Sequence, residues 1–130
     1  MIVIKAEEDK LKAAGKSNLL VKHIAAEDDG AGYDILSYDE YGKEMKIEVK
    51  STKAKIGDAN FYLSDNELTK AKQVDNYWIY IVYEADTSNP KIWKIKNPFL
   101  QKDIVKIVPT QYKVAINVKQ EGLDNVEKSS

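Results

Sequence analysis

The segment that most restricts the fold of this chain is the run of seven β-branched and aromatic residues Tyr77–Tyr83. A short, nearly continuous apolar run of this kind is typical of a strand that is buried on both faces. A turn at 87–90 follows, and Ile92–Ile95 then repeats the same composition, which predicts a neighbouring strand. The sequence therefore predicts a sheet that has Tyr77–Tyr83 at its centre.

Other segments predict the elements around this sheet. Alternating residues at 33–38 and 45–50 flank a turn at 39–42, which indicates a β-hairpin. Ser64 and Glu67 form a capping-box pattern that marks a helix start. The remaining predicted elements are a helix at 6–14, a short strand or helix end at 19–24, a strand at 61–63 and further strand or edge material at 104–108 and 112–118. The predicted class is α/β (α+β), a mixed central β-sheet flanked by helices.

Length and composition bound the domain organisation. The chain has 130 residues, which suits one domain at 1–118 followed by a polar, flexible tail at 119–130. It has no cysteine, so disulfides, thiolate metal sites and a cysteine nucleophile are excluded. No stretch reaches the roughly 20 apolar residues of a membrane helix. We therefore expect a cytoplasmic protein with no membrane partner.

The charges are unevenly distributed along the chain. All 20 basic residues are lysines, so a nucleic-acid contact cannot use the bidentate guanidinium fork of arginine. Residues 27–48 hold eight acids and two lysines, whereas the segments on either side carry a lysine excess. A divalent ion bound at the acidic segment would offset part of its charge. We therefore expect nucleic-acid binding that is weak without metal and sensitive to salt.

The hairpin holds the residues that could carry chemistry. Glu48 and Lys50 are two apart in a strand, so their side chains share a face and Val49 points the other way. If the turn is centred on Tyr41, opposed residue numbers add to 82 and Asp34 lies opposite Glu48. A shift by one residue would place the two carboxylates on opposite faces. In the first register Asp34 and Glu48 can hold Mg²⁺ or Mn²⁺, and Lys50 can stabilise a phosphate.

Four motifs of the chain are distinctive in combination. They are Gly30–Ile35 (GAGYDI), Ile47–Thr52 (IEVKST), Phe61–Glu67 (FYLSDNE) and Asn97-Pro98. Together they resemble the domain at the C-terminus of the plant protein NO VEIN and its bacterial relatives, which is similar to the PD-(D/E)XK, or restriction endonuclease-like, superfamily. The resemblance covers roughly residues 6–100.

This resemblance implies specific roles for residues of the chain. Asp34 and Glu48 would be metal ligands together with the backbone carbonyl of Val49, and Lys50 would be the catalytic lysine. Tyr33 stands where the superfamily's nominal motif has proline. The implied function is hydrolysis of DNA phosphodiester bonds in a restriction or defence-type system, with a homodimer or a helicase or ATPase module as a possible partner.

Further residues are weaker candidates. The accessory candidates are Glu7 and Glu8, one of which would match an acidic residue of the superfamily's first helix, together with His23 and Glu67. His23 is more simply explained as a surface or packing residue, and Glu67 as the capping-box acid alone. Lys53 and Lys55 are candidate substrate contacts. The alternative function is a noncatalytic nucleic-acid- or protein-binding module that keeps the same fold.

Overall fold

The computed structural model describes residues 2–27, 30–53, 61–97, 106–112 and 114–117. Over these residues the chain forms two α-helices, one 3₁₀-helix and five strands. The helices are α1 (Ile2–Ala13), the 3₁₀-helix (Ile24–Ala26) and α2 (Asp65–Gln73), and the strands are β1 (Lys22–His23), β2 (Ile35–Tyr38), β3 (Glu44–Ser51), β4 (Tyr77–Tyr83) and β5 (Lys91–Lys96).

The five strands form one mixed sheet in the order β1-β2-β3-β4-β5. The pairs β1–β2, β2–β3 and β4–β5 are antiparallel, whereas β3 and β4 are parallel and are connected through α2. Five of the seven residues of β4 are buried, because β3 and β5 flank it and helices cover the sheet. The predicted burial of β4 on both faces is confirmed, but β4 is the fourth of five strands, and β3 lies at the centre of the sheet instead. The predicted mixed α+β architecture is confirmed.

The two helices cover opposite faces of the sheet. One face packs against α1 through a cluster that includes Val3, Ile47 and Tyr80. The other face packs against α2 through a cluster that includes Ala71 and Ile79. Neighbouring strand residues enter different clusters because successive side chains alternate between faces. Full burial of one large apolar side chain adds about 1.5–3 kcal/mol to the free energy of unfolding. Both clusters therefore stabilise the packing of the helices on the sheet.

The first helix begins at Ile2, four residues before the predicted start. Its buried residues Val3, Glu7 and Leu11 recur every fourth position and therefore form one face. β-Branched residues at positions 2–4 have modest helix propensity, but the burial of Val3 against the sheet outweighs that preference. The predicted start at residue 6 is therefore wrong.

Some predicted strands are shorter than expected or absent. The strand near 19–24 is reduced to Lys22–His23, and Phe61–Leu63 is not a strand. Phe61 and Leu63 instead pack their side chains against the cluster under α2. The described parts of 104–108 and 112–118 contain no strand, and residues 104, 105, 113 and 118 lie outside the described residues. The predicted tail at 119–130 also lies outside them.

Candidate functional site: an acidic pair beside a lysine

The register of the β2–β3 hairpin sets the geometry of the site. Ile35 pairs with Ile47, and the residue numbers of every pair in the hairpin add to 82. The predicted register is therefore confirmed. Asp34, one residue before β2, accepts a hydrogen bond at Oδ2 from the backbone N–H of Val49 at 2.7 Å. Its own backbone N–H donates to the carbonyl of Ile47 at 2.9 Å. Asp34 is therefore fixed beside Glu48 by both its side chain and its backbone.

Glu48 and Lys50 lie on the same face of β3, as predicted from the strand period. The Nζ atom of Lys50 is 3.2 Å from Oε2 of Glu48. Val49 faces the other way and packs against the cluster under α1. The hairpin therefore brings Asp34, Glu48 and Lys50 together, and β3 alone supplies the last two.

Helix α2 adds a fourth ionisable residue, Glu67. Its Oε1 atom is 3.3 Å from Nζ of Lys50. The same residue closes the predicted capping box, in which Ser64 Oγ accepts from the Glu67 N–H and Glu67 Oε1 accepts from the Ser64 N–H. The capping-box pattern was visible in the sequence, but the contact with Lys50 depends on where the β3–α2–β4 connection places the helix.

Glu48 is the most unusual group of the site. Its side chain is 2% exposed, and within the described residues no N–H or O–H group donates a hydrogen bond to its Oε1 atom. Burial, followed by hydrogen bonding to the Glu67 and Asp34 carboxyl groups and repulsion from both, raises the pKa of Glu48 to about 10. At neutral pH and without a cation, Glu48 therefore retains its proton.

The neighbouring groups have opposite shifts. Burial disfavours the ionised form of Glu67, but hydrogen bonds from Glu48, the Ser64 backbone and Lys50 outweigh it and lower the pKa of Glu67. Burial also disfavours the ammonium of Lys50, but the Glu48 carboxyl, which accepts a hydrogen bond from this ammonium, and the Glu67 carboxylate outweigh burial and raise the pKa of Lys50. Because Glu48 is the most buried of the three side chains, it retains its proton, whereas Glu67 and Lys50 remain charged.

Glu7 lies away from these residues, on the face of the sheet covered by α1. It is fully buried, and Oε1 accepts from Lys10 Nζ at 2.6 Å and from Ser37 Oγ at 2.9 Å. Oε2 accepts from the Tyr80 hydroxyl at 3.2 Å and is 3.8 Å from Lys94 Nζ. Glu48 faces α2, so Glu7 does not lie near the acidic pair Asp34 and Glu48. This differs from its sequence-based assignment as an accessory residue.

The remaining accessory candidates and the described substrate candidate lie at exposed positions. Glu8 is exposed on α1, and His23 is exposed on β1. Lys53, predicted as a substrate contact, is exposed just after β3, and Lys55 lies outside the described residues. Glu8, His23 and Lys53 have no described contact with Asp34, Glu48 or Lys50, so the core of the site among the described residues consists of those three residues and Glu67.

The site has two features that bear on metal binding. Within the described part of the chain, no group of three or more His, Cys, Asp and Glu side chains has the geometry of a metal site. Asp34 and Glu48 nevertheless supply a carboxylate pair with one unpartnered buried oxygen. Such a pair suits a hard cation that retains several water ligands.

The fold and this site define an α+β domain with an acidic pair and a lysine on one face of a mixed sheet. The family model described as "Protein NO VEIN, C-terminal" matches residues 1–95. The chain therefore belongs to the NO VEIN C-terminal domain family, as the sequence motifs predicted. No curated protein and no solved structure matches the chain. No helix in the described segments is long and apolar enough to cross a membrane.

Proposed function

We propose that this chain is a metal-dependent nuclease-like domain that hydrolyses phosphodiester bonds of DNA as part of a restriction or defence-type system. The observation that carries the proposal is the buried Glu48 carboxyl, which has an unpartnered oxygen beside Asp34 and an ammonium group from Lys50. Burying a carboxyl group in this way costs folding free energy, and a buried group with a strongly shifted pKa is a candidate for a functional role. Binding a cation is the role that suits its surroundings.

The residues present fit Mg²⁺ or Mn²⁺. Asp34 and Glu48 would hold the ion, with the backbone carbonyl of Val49 as a further candidate ligand. Such an ion, when bound, supplies Lewis-acid activation of water and neutralises phosphate charge. Oε1 of Glu48 would then gain a partner, and ion binding would release the proton that this group otherwise retains.

Lys50 would stabilise the negative charge of the phosphate. Its ammonium group is a point charge that can stabilise the additional negative charge of a pentavalent phosphorane. Lys53, and Lys55 outside the described residues, would bind the nucleic-acid backbone. The chain has no arginine, so lysines and backbone amides would make the contacts to phosphate.

The resemblance of the family to the PD-(D/E)XK superfamily supports this proposal. Asp34, Glu48 and Lys50 occur at the positions that the superfamily motif uses, and the hairpin register sets them side by side. The parallel β3–β4 pair with an intervening helix is compatible with a restriction endonuclease-like fold. A homodimer or a partner module of helicase or ATPase type remains a prediction.

The experiment is cleavage of supercoiled plasmid in Mg²⁺ or Mn²⁺ by the protein and two variants. Lys50→Ala should lower the rate by about 10²-fold or more because it removes charge stabilisation of the transition state. The matched control is Lys43→Ala, which removes an exposed lysine at the turn end of the same hairpin. Equal rates for the protein and Lys50→Ala would indicate a contaminating nuclease and refute the proposal.

Absence of cleavage would favour the noncatalytic binding module. Calorimetric titration then separates the two functions, because a binding module does not need the ion. Metal uptake that Asp34→Asn abolishes would count against the module even if no plasmid is cut. Binding of DNA with no metal uptake would support it.

A further inference from the structure

One carboxylate oxygen connects the start of α2 to the lysine of the site. Oε1 of Glu67 accepts the backbone N–H of Ser64 at 3.0 Å and also lies 3.3 Å from Nζ of Lys50. The Ser64 hydroxyl accepts the Glu67 N–H at 3.1 Å, so Glu67 is held at both its backbone and its side chain. A glutamate fixed in this way offers a rigid anchor to a flexible partner.

Lys50 needs such an anchor. Lysine has four rotatable side-chain bonds, and ordering it costs up to about 2 kcal/mol of conformational entropy. In the structure its ammonium lies between Glu48 at 3.2 Å and Glu67 at 3.3 Å. An ion bound at Oε1 of Glu48 would neutralise much of the charge of the carboxylate that Lys50 contacts at Oε2. Glu67 would then be the remaining anchor for the ammonium group.

We infer that Glu67 is the positioning residue for Lys50, and that the capping box of α2 serves as the support that keeps this lysine in place when Glu48 binds an ion. The inference rests on the proposed function of the Asp34–Glu48 site. It gives the capping box a second role besides starting the helix. In this role Glu67 acts on the reaction through Lys50.

The test compares Glu67→Gln with Asp65→Asn. Glutamine at the third helix position still completes a capping box, so α2 should remain folded while Lys50 loses its charged partner. Asp65 lies in the same first turn of α2 and is exposed. Its change to Asn removes the same charge from the same helix end without touching Lys50. Equal circular dichroism spectra and similar melting temperatures would establish that both variants are folded.

The first readout is steady-state cleavage of DNA with Mg²⁺. Misplacing a group that acts in the transition state lowers kcat and leaves KM largely unchanged. We expect Glu67→Gln to lower kcat by about 10- to 100-fold, since misplacement by about 1 Å can cost 10²-fold. Asp65→Asn should retain kcat, and any effect of the lost charge on DNA binding should appear equally in KM of both variants.

The second readout is the NMR signal of the Lys50 ammonium group, recorded at low temperature in saturating Mg²⁺ without DNA. An ammonium held by a carboxylate exchanges its protons slowly enough to be observed, and Lys50→Ala assigns the signal. We expect the signal in the protein and in Asp65→Asn, and its loss in Glu67→Gln. A signal that persists in Glu67→Gln would overturn the inference, whatever happens to kcat.

The two proposals can fail separately. If the protein cleaves DNA but Glu67→Gln matches Asp65→Asn in kcat, the positioning role is refuted and the nuclease proposal stands. If no preparation cleaves DNA, the nuclease proposal fails. The ammonium signal then decides alone whether Glu67 orders Lys50 in the folded protein.

Discussion

The side-chain oxygen Oδ2 of Asp34 accepts a hydrogen bond from the backbone N–H of Val49 at 2.7 Å. Asp34 precedes β2 by one residue, so this bond ties the start of β2 to β3 through a side chain. Val49 lies between Glu48 and Lys50, and the bond therefore fixes Asp34 against the strand segment that carries both. The acidic pair depends on this local contact as well as on the sheet register.

Glu48→Gln should stabilise the protein in the absence of divalent ions. The folded-state pKa of about 10 lies above the ordinary value of 4.5, so the contribution of Glu48 to stability is full below pH 4.5. It is lost progressively as pH rises from 4.5 toward 10, because Glu48 ionises in the unfolded chain while the buried group of the folded protein keeps its proton. At pH 8 in EDTA we expect Glu48→Gln to unfold at higher urea, with a gain on the order of 1–3 kcal/mol.

Urea unfolding from pH 6 to 9 measures this dependence. The midpoint of the unmodified protein should fall as pH rises, and that of Glu48→Gln should fall less. Glu44→Gln is the matched control because Glu44 is exposed on the same strand. Parallel pH profiles for the protein and Glu48→Gln would contradict the buried, protonated state of Glu48.

Addition of Mg²⁺ or Mn²⁺ should raise the melting temperature, and the increase should require Asp34 and Glu48. A ligand that binds only the folded state, present at a concentration of about 100 times its Kd, raises the free energy of unfolding by roughly 2.7 kcal/mol. Asp34→Asn and Glu48→Gln should each remove this gain, whereas Glu44→Gln should retain it. Thermal melts with and without the ion measure this increase, and calorimetric titration measures binding of the ion. A full gain in Asp34→Asn would locate the ion elsewhere.

Local patterns were sufficient to predict the hairpin half of the site. The turn position fixed the register, and the strand period fixed the shared face of Glu48 and Lys50. The capping box likewise predicted Ser64 as the N-cap of α2. These features depend on neighbours in sequence, so they can be read without knowledge of the tertiary structure.

Features that depend on packing between distant segments were not predictable in this way. Glu67 meets Lys50 only because the connection from β3 to β4 places the start of α2 beside β3. Glu7 was a candidate for the site, but α1 presents it to the opposite face of the sheet, where Ser37 and Tyr80 donate to it. The sequence shows the periodicity of α1 but not which face of the sheet it covers.

Gly32→Ala should destabilise the protein more than Gly42→Ala. Both glycines have a positive φ, +83° and +85°, so both substitutions carry a backbone cost of about 1–2 kcal/mol. A Cβ on Gly32 would lie 3.0 Å from the Asn66 carbonyl oxygen and 3.1 Å from Lys70 Cβ, whereas Gly42 faces open space. The close contact at Gly32 should increase the loss of stability of Gly32→Ala by a further amount of about 1–3 kcal/mol.

Urea unfolding of the two alanine variants isolates this contact, because the backbone cost is common to both. Gly32 also lies two residues before Asp34 and packs against the first turns of α2. We therefore expect Gly32→Ala to weaken metal uptake as well, while Gly42→Ala leaves it unchanged. Equal losses of stability would show that the loop before β2 does not approach α2 as closely as described.

Glu7→Gln should lower stability without changing metal uptake. Removing the charge leaves the Lys10 ammonium without its 2.6 Å partner and weakens the bonds from Ser37 and Tyr80. Breaking a buried ion pair at one partner costs about 3–5 kcal/mol, and the partial exposure of Lys10 places the expected loss at the lower end, about 3 kcal/mol. The acidic pair should be unaffected because it lies across the sheet.

Glu8→Gln is the matched control for this substitution. Glu8 is the next residue of α1, is exposed, and should change stability by no more than about 0.5 kcal/mol. Unfolding in urea and calorimetric titration with Mn²⁺ measure the two effects separately. If Glu7→Gln remained folded but no longer took up Mn²⁺, Glu7 would be a ligand, and its assignment to the opposite face would be wrong. Retained uptake with reduced stability would identify Glu7 as the residue that secures α1 to the sheet.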